Sequence, residues 1–291
     1  MQLVALRALQ TGHLDDLRVL CQRAEEVDGC APKIHWPLMG LHNPDILHVL
    51  ALEGEALLGL ASGLIFEAGT LELTCVVDPN HRARRLATTL VERLLEQHSD
   101  GVTTLCARVP STHTPAQEWA TRRGAAVTRS EVTMRRSFEG DAGAPWGDAL
   151  SLRLATAGDA PALAMLDAAA FGTERGEMRR RYQKTAGDPD RRVWLVEREG
   201  AVVGKLHARR DLDGTVWIHD LCIDAAARGR GFGREMVARC THALGDGALR
   251  GPVDGVWLEV NADNAAALAT YARCGYEVAR EDDIYEIAIS R

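Results

Sequence analysis

The two halves of the chain repeat the same short sequences in the same order. LRALQTG at residues 6–12 is matched by LRLATAG at residues 152–158, an offset of 146. ALLG at residues 56–59 is matched by AVVG at residues 201–204, an offset of 145. A third match returns to 146 and pairs Val77, Asp78 and Arg82 with Ile223, Asp224 and Arg228. A biased composition would not preserve order and spacing together, so the repeat predicts two copies of one fold.

Length and composition agree with two ordinary domains. The chain has 291 residues, 46% of them hydrophobic and 26% charged, as in soluble globular proteins. Residues 139–148 contain three glycines and a proline and show no apolar periodicity, which is typical of a linker. The sequence therefore predicts domains at residues 1–138 and 149–291 joined by a linker at residues 139–148.

Each copy mixes strands and helices. In the second copy the pattern predicts hairpin strands at 193–196 and 202–206, a long strand at 216–223 and a helix from about 231 to 244. A strand at 256–260, a helix at 264–274 and a closing strand at 284–289 follow. This order predicts an α/β fold in which helices cover both faces of a mixed sheet.

Charge and cysteine content restrict the partners. The net charge is −7, which argues against nucleic acid as the main partner. No apolar run approaches the roughly 18 to 20 residues needed to cross a bilayer, and the first ten residues lack the pattern of a signal peptide. We therefore expect a cytoplasmic protein with no membrane partner. Seven cysteines without a C-x-x-C pair predict free thiols, with no metal site.

The segment LCIDAAARGRGFGR, residues 221–234, carries the strongest chemical signal. It runs from an apolar strand through a basic, glycine-rich turn into a helix. The first N–H groups of a helix have no intrahelical partner, and they lie at the positive end of the helix dipole. Such a terminus binds phosphate, and glycines allow close approach. A dinucleotide fingerprint fails because Arg234 stands where the third glycine belongs, and the G-K-[ST] of a Walker loop is absent.

What remains, R-x-x-G-x-G at Arg228, Gly231 and Gly233, resembles the [QR]-x-x-G-x-[GA] motif of GNAT N-acetyltransferases. Downstream, NAAALATYARCGY at residues 264–276 resembles the N-x-x-A-x-x-x-Y-x-x-x-G-[FY] segment of that family. The resemblance covers nearly the whole chain and is stronger in the second half. It implies two tandem GNAT folds, each with a mixed, mostly antiparallel sheet flanked by helices, and acetyl-CoA as co-substrate without a metal ion.

The resemblance also implies roles for individual residues. Tyr271 would donate a proton to the departing thiolate, and a backbone N–H near Cys222 or Ile223 would stabilise the negative charge on the carbonyl oxygen. Acetyl-CoA binding is assigned to Cys222, Ile223, Asp224, Arg228, Gly229, Arg230, Gly231, Phe232, Gly233, Arg234 and Asn264.

The general base stays open between two neighbours on the long strand, His219 and Asp220. Adjacent strand residues are expected to point to opposite faces of the sheet. A histidine near its reference pKa of about 6.5 suits proton abstraction at neutral pH. The alternative for His219 is a histidine that only forms hydrogen bonds within the sheet.

The first copy departs from the family pattern at three positions. In CVVDPNHRARRLA, residues 75–87, Arg85 replaces the motif glycine. Aligning Gly124 with Gly275 places His113 at the asparagine position and Ala120 at the tyrosine position. Alanine cannot donate a proton, so we expect a structural or substrate-shaping first copy, in which the arginines leave CoA binding open.

Together these features predict an enzyme, an acetyl-CoA-dependent N-acetyltransferase whose second domain transfers the acetyl group directly to a primary amine. The acceptor is a small molecule or a protein N-terminus, and the protein is a monomer, with the two copies as a pseudo-dimer, or a homodimer. The tandem layout resembles that of mycothiol synthases, which implies acetylation of a small amino-thiol conjugate as an alternative. Trp217 stands where that group has a strand glutamate. A non-catalytic acyl-CoA-binding sensor or scaffold is the other alternative, and Tyr271 argues against it.

Overall fold

A computed structural model describes residues 1–67, 69–97, 101–138, 150–211 and 214–289. The predicted linker at residues 139–148 lies outside these ranges. The helices are α1 Thr11–Asp28, α2 Trp36–Met39, α3 Leu86–Gln97, α4 Thr114–Thr121, α5 Ala160–Phe171, α6 Arg175–Thr185, α7 Phe232–Gly245 and α8 Ala265–Arg273. The strands are β1 Gln2–Leu6, β2 Ile46–Glu53, β3 Ala56–Glu67, β4 Thr70–Val77, β5 Thr104–Pro110, β6 Ala126–Ser137, β7 Ser151–Leu154, β8 Arg191–Arg198, β9 Ala201–Arg210, β10 Val216–Ile223, β11 Gly255–Asn261 and β12 Glu277–Ala288.

The chain forms two compact units. The first comprises Met1–Glu131 together with Glu281–Arg291, and the second comprises Val132–Arg280. The end of β12 therefore belongs to the first unit and the end of β6 to the second. The predicted domains 1–138 and 149–291 instead place all of β6 in the first domain and all of β12 in the second.

Both units contain a mixed, mostly antiparallel sheet, as the fold class predicted. In the first unit, β1 to β4 pair antiparallel in chain order, β4 pairs parallel with β5, and β5 pairs antiparallel with β12. In the second unit, β7 to β10 pair antiparallel in chain order, β10 pairs parallel with β11, and β6 lies beside β11.

Helices cover both faces of each sheet because their apolar residues recur at helical spacing. In the second unit, α7 packs one face through Phe232, Met236 and Cys240, whereas α5 and α6 cover the other face. In the first unit, α3 and α1 take the corresponding places. All seven cysteines are free thiols. None of the helices in the described ranges is long and apolar enough to cross a membrane.

The glycine that ends the ALLG and AVVG repeats has a packing role. Gly204 on β9 pairs with Ile223, and a Cβ added there would lie 2.7 Å from the Cys222 carbonyl oxygen. Gly59 on β3 pairs with Val77, and its Cβ would lie 3.1 Å from the Val76 carbonyl oxygen on β4. The repeat thus reports the same close approach of two strands in both units.

Candidate active site

Strand β10 leads into the predicted glycine-rich turn. The Asp224 side chain accepts a hydrogen bond from the Ala226 N–H at 2.9 Å and caps a single 3-10 turn. The Arg228 Nε then donates to the Ile223 carbonyl oxygen at 3.0 Å, which closes the turn back on the strand. Gly229 follows with a left-handed φ of 75°.

Gly231 is the N-cap of α7 and has a φ of 80°, which glycine adopts without the cost borne by other residues. The first intrahelical bond runs from Glu235 N to Gly231 O at 3.2 Å, so the N–H groups of residues 232–234 precede the helical ladder. A Cβ added at Gly231 would meet nothing within 4 Å. The open space and free amides fit a diphosphate such as that of acetyl-CoA. The exposed side chains that add positive charge are Arg228, Arg230 and Arg234.

Strands β10 and β11 separate beside this turn. Within the described parts of both strands, their pairing covers Val216–Ile218 and Val256–Leu258 only, whereas the strands continue to Ile223 and Asn261. Because Asp224 N donates to Val203 O, the alternation of the antiparallel ladder directs the Cys222 N–H towards β9 and the Ile223 N–H towards the gap. Of the two predicted oxyanion donors, the Ile223 amide therefore opens onto the gap.

A β-bulge in β10 distinguishes the second unit from the first. His219 pairs with His207 and Cys222 with Lys205, so β10 carries one more residue than β9 over this stretch. Asp220 within the bulge has a φ of 46°. Strand β4 pairs with β3 without irregularity at the equivalent place, which makes Thr74 the counterpart of His219 and Glu72 the counterpart of Trp217.

The bulge brings both predicted base candidates to one face, so the expectation that they point to opposite faces is wrong. The Asp220 carboxylate lies 3.5 Å from Nδ1 of His207, and the His219 ring lies edge-on to the same histidine at 6.2 Å between centroids. Burial lowers the pKa of His219 to about 4. The His207 hydrogen bond holds the pKa of Asp220 well below its usual range. At neutral pH His219 is therefore a neutral imidazole and Asp220 a carboxylate.

Tyr271 lies on α8 in the apolar cluster that also contains Phe232. It is 8% exposed, and burial raises its pKa to about 12, so its hydroxyl keeps its proton at neutral pH. Asn264 is the N-cap of α8, and its carboxamide oxygen accepts from Ala267 N at 3.1 Å. Burial raises the pKa of the Cys222 thiol to about 11, which disfavours a thiolate nucleophile on β10.

Two tryptophans lie beside His219 on the same sheet. Trp217 and Trp257 are a cross-strand pair whose ring centroids are 6.0 Å apart. Trp217 stacks with His219 at 6.3 Å, and the Arg135 guanidinium lies 5.3 Å from the centroid of Trp257. This half-buried row of rings continues from the base candidates along the sheet.

The sequence patterns missed His207, Trp257 and the bulge. A signal existed for His207, because Lys205, His207 and Arg209 alternate with apolar residues along β9 and so mark one polar face. The residues of β10 do not mark the bulge by themselves, since it depends on pairing with another strand, and only the change in the repeat offset records the extra residue. Among the described residues, no group of three or more His, Cys, Asp or Glu side chains could hold a metal ion.

The first unit keeps the shape of the turn but closes it with its own side chains. Arg82 Nε donates to Val77 O at 3.2 Å, as Arg228 does to Ile223. Its Nη1 and Nη2 donate to the Asp28 carboxylate at 2.5 and 2.8 Å. His113, the N-cap of α4, lies 3.3 Å from the same carboxylate. At the position corresponding to Tyr271 in the motif alignment, Ala120 is fully buried.

Comparisons with known proteins identify the family of the chain. The Acetyltransferase (GNAT) family matches residues 12–125 and 161–276. Mycothiol acetyltransferase of Paenarthrobacter aurescens (strain TC1) is 30% identical, with 94% of this chain and 92% of that protein covered. The mycothiol acetyltransferase of Mycolicibacterium vanbaalenii is 28% identical, with 93% of each chain covered.

Solved structures share the fold along the whole chain. A GCN5-related N-acetyltransferase from Sphaerobacter thermophilus has a TM-score of 0.80 at 20% identity, covering 99% of this chain and 97% of that one. A tandem GNAT protein from the clavulanic acid biosynthesis pathway has a TM-score of 0.75 at 16% identity, covering 100% and 99%. At these identities the likeness establishes the tandem fold alone.

Proposed function

Because this chain belongs to the acetyltransferase (GNAT) family, we propose that its second unit transfers an acetyl group from acetyl-CoA directly to a primary amine. The observation that carries the proposal is the continuous β10–α7 segment. There a strand bulge at Asp220 is followed by a left-handed glycine turn that opens a helix. The first unit has neither the bulge nor the glycines, and it serves as a non-catalytic partner.

The residues of the second unit divide the chemistry between them. The amides that open α7 hold the diphosphate of acetyl-CoA, with Arg228, Arg230 and Arg234 beside them and Asn264 at the CoA arm. Acetyl-CoA, when bound, supplies the thioester carbonyl group that the amine attacks. The Ile223 N–H donates to the carbonyl oxygen as negative charge develops on it.

Proton movements complete the reaction. The acceptor ammonium loses one proton to the site formed by His219 and Asp220, which frees the lone pair that forms the new C–N bond. Tyr271 donates its hydroxyl proton to the sulfur as the C–S bond breaks, and the second proton that the nitrogen loses as the amide forms restores the Tyr271 hydroxyl. Its raised pKa keeps this proton in place until the sulfur becomes negative. The protonated state of Cys222 supports direct transfer over an acetylated cysteine.

The acceptor we favour is the amine of a small amino-thiol conjugate of the kind acted on by mycothiol acetyltransferases. Relatives with that name match more than nine-tenths of this chain in both units. Trp217 in place of the strand glutamate makes the surroundings of the acceptor less acidic, so other small primary amines belong in the same test.

The test is release of free thiol from acetyl-CoA by the full chain across a panel of small amines and amino-thiol conjugates, with the products weighed by mass spectrometry. Tyr271→Phe should lower kcat about 10²-fold, as expected on loss of a general acid, and leave KM unchanged. Gly231→Arg should abolish acetyl-CoA binding in calorimetry. The matched control is Tyr276→Phe, a buried tyrosine 6.0 Å from Tyr271 whose hydroxyl is bonded to Thr241, and it should keep turnover. An acetyl-CoA-binding protein without thiol release for any amine would contradict catalysis.

A further inference from the structure

His207 is a buried histidine of the second unit with no role in the reaction described so far. It is 4% exposed on β9 and faces His219 directly across the strand pair. Its Nδ1 lies 3.5 Å from the Asp220 Oδ2, at the long end of hydrogen-bond distances. The bulge at Asp220 is what brings this carboxylate to a residue on the neighbouring strand.

The ring nitrogens of the two histidines restrict what the group can do. Nε2 of His207 and Nε2 of His219 are both buried, and neither has a hydrogen-bond partner in the part of the chain that the structure describes. With Nδ1–H donated to Asp220, the neutral His207 has an unprotonated Nε2. The equivalent positions of the first unit are Ser62 and Thr74, which contain no imidazole.

Charged groups surround this cluster from every neighbouring element. Lys205 on β9 is fully buried, forms an ion pair with Asp167 on α5 and donates to the Tyr182 hydroxyl on α6 at 2.6 Å. The further groups with an electrostatic effect on His207, His219 or Asp220 are Arg181, Arg191, Arg209 and Asp211. The Asp220 side chain is 34% exposed and is more accessible to solvent than those of His207, Lys205 and Asp167.

We propose that His207 is a positioning residue for acetyl transfer, which holds the Asp220 carboxylate beside His219 so that His219 can accept the proton of the acceptor amine. The N–H bond of the acceptor ammonium breaks and an N–H bond forms on His219. The negative charge of Asp220 stabilises the resulting imidazolium, and the proton then leaves to solvent past the exposed carboxylate. This role rests on the proposed acetyltransferase activity of the second unit.

The first experiment compares pH profiles of kcat/KM for His207→Ala and His207→Asn in the full chain. The alanine variant should lower kcat about 10- to 100-fold, the size expected on loss of a hydrogen bond to a charged group, without changing KM for acetyl-CoA. Its acid limb should move to lower pH, because this limb reports the proton acceptor His219, whose pKa is lowered by burial and raised by the Asp220 charge that His207 holds in place. Asparagine supplies an N–H donor near the Nδ1 position and should restore most of the rate.

A double-mutant cycle tests whether the two side chains act together. His207→Ala in an Asp220→Asn background should cost little beyond Asp220→Asn alone, since the shared interaction is already lost. The matched control is His48→Ala in the first unit, a buried histidine whose Nδ1 is 2.8 Å from the Ser62 hydroxyl oxygen. It should lower the melting temperature and leave the pH profile unchanged. The proposal is overturned if the effects of His207→Ala and Asp220→Asn on kcat multiply in the double variant. It is also overturned if His207→Ala, like His48→Ala, leaves the pH profile unchanged.

A second measurement is independent of turnover. The ¹⁵N shifts of the imidazoles should show His207 as the Nδ1–H tautomer in the wild-type protein and a mixture in Asp220→Asn. An Nε2–H tautomer in the wild type would overturn the positioning role whatever the activity. If thiol release and its loss in Tyr271→Phe are observed while His207→Ala is neutral, only the positioning role fails. If the wild-type protein releases no thiol, the proposed acetyltransferase function itself fails.

Discussion

Arg85 in the first unit has the same left-handed backbone conformation as Gly231 in the second, with φ of 62° and 80°. Each is the residue before its helix, α3 or α7. Ala83 and Gly229 form a second such pair, with φ of 59° and 75°. The first unit therefore has the same backbone shape as the glycine-rich turn of the second unit, without the glycines that make this backbone inexpensive.

The conformation of Arg85 predicts that Arg85→Gly stabilises the first unit. A left-handed non-glycine residue costs about 1 kcal/mol or more, and glycine removes most of that cost. We expect a higher urea midpoint for the variant, measured by circular dichroism. Arg84→Gly is the control, because Arg84 is not among the left-handed residues and glycine there only adds freedom to the unfolded chain. An equal loss of stability in both variants would show that Arg85 is not strained.

The bridge formed by Asp28 predicts latent anion binding by the first unit. Its carboxylate binds both Arg82 and His113, at the place where the second unit offers Arg228 and Asn264. Asp28→Asn should weaken both contacts and free positive charge at the turn. In a Gly231→Arg background, inorganic pyrophosphate should then raise the melting temperature more than it does without the Asp28 change. An identical response in the two proteins would contradict the idea that this carboxylate replaces a ligand.

The sequence predicted the fold and the glycine-rich turn that opens α7 because both depend on local patterns, as the R-x-x-G-x-G segment shows. It also contained the trace of the bulge, since the offset of the repeat changes from 145 at Gly204 to 146 at Ile223. The meaning of that extra residue could not be predicted, because a bulge is defined by the strand opposite it. The pairing of β12 with β5 in the first unit was missed for the same reason, as it joins residues far apart in sequence.

The bulge predicts that a change in β10 can reduce acetyl transfer while leaving acetyl-CoA binding in place. Deleting Asp220 should give β10 the regular pairing seen in β4, which removes both the carboxylate and the bend between His219 and the Ile223 amide. Turnover should fall about 10²-fold or more, as when a group that accepts the proton is lost or displaced, while calorimetry still detects acetyl-CoA. Asp220→Gly keeps the residue count and the left-handed φ, so it should lose less activity than the deletion. Equal loss in both variants would assign the effect to the carboxylate alone.

Two buried histidines predict acid sensitivity of the fold. Burial lowers the pKa of His219 and of His48 to about 4, whereas an unfolded histidine titrates near 6.5. Between these values the unfolded chain binds more protons, so the free energy of unfolding falls as pH drops from about 6.5 towards 4. His219→Gln and His48→Gln should each make the pH dependence shallower in urea titrations at pH 7 and pH 5. An unchanged slope in both variants would mean that carboxylates control the acid transition.

Trp217 predicts the direction in which acceptor preference can be changed. It lies between His219 and Trp257, and its counterpart in the first unit is Glu72, whose carboxylate is bonded to His35 at 3.0 Å. Removing the ring in Trp217→Ala should raise KM for the acceptor about five- to tenfold, the equivalent of one aromatic contact, without changing KM for acetyl-CoA.

Trp217→Glu should further shift preference towards acceptors with an additional positive charge, because a carboxylate would then lie beside the amine. The readout is the ratio of kcat/KM for a monoamine and a diamine of equal length. Trp194→Phe serves as the control, since this tryptophan is buried in the core between the sheet and α7 and should affect stability alone. A ratio that stays constant in Trp217→Glu would place the acceptor away from the row of rings and against another wall of the gap.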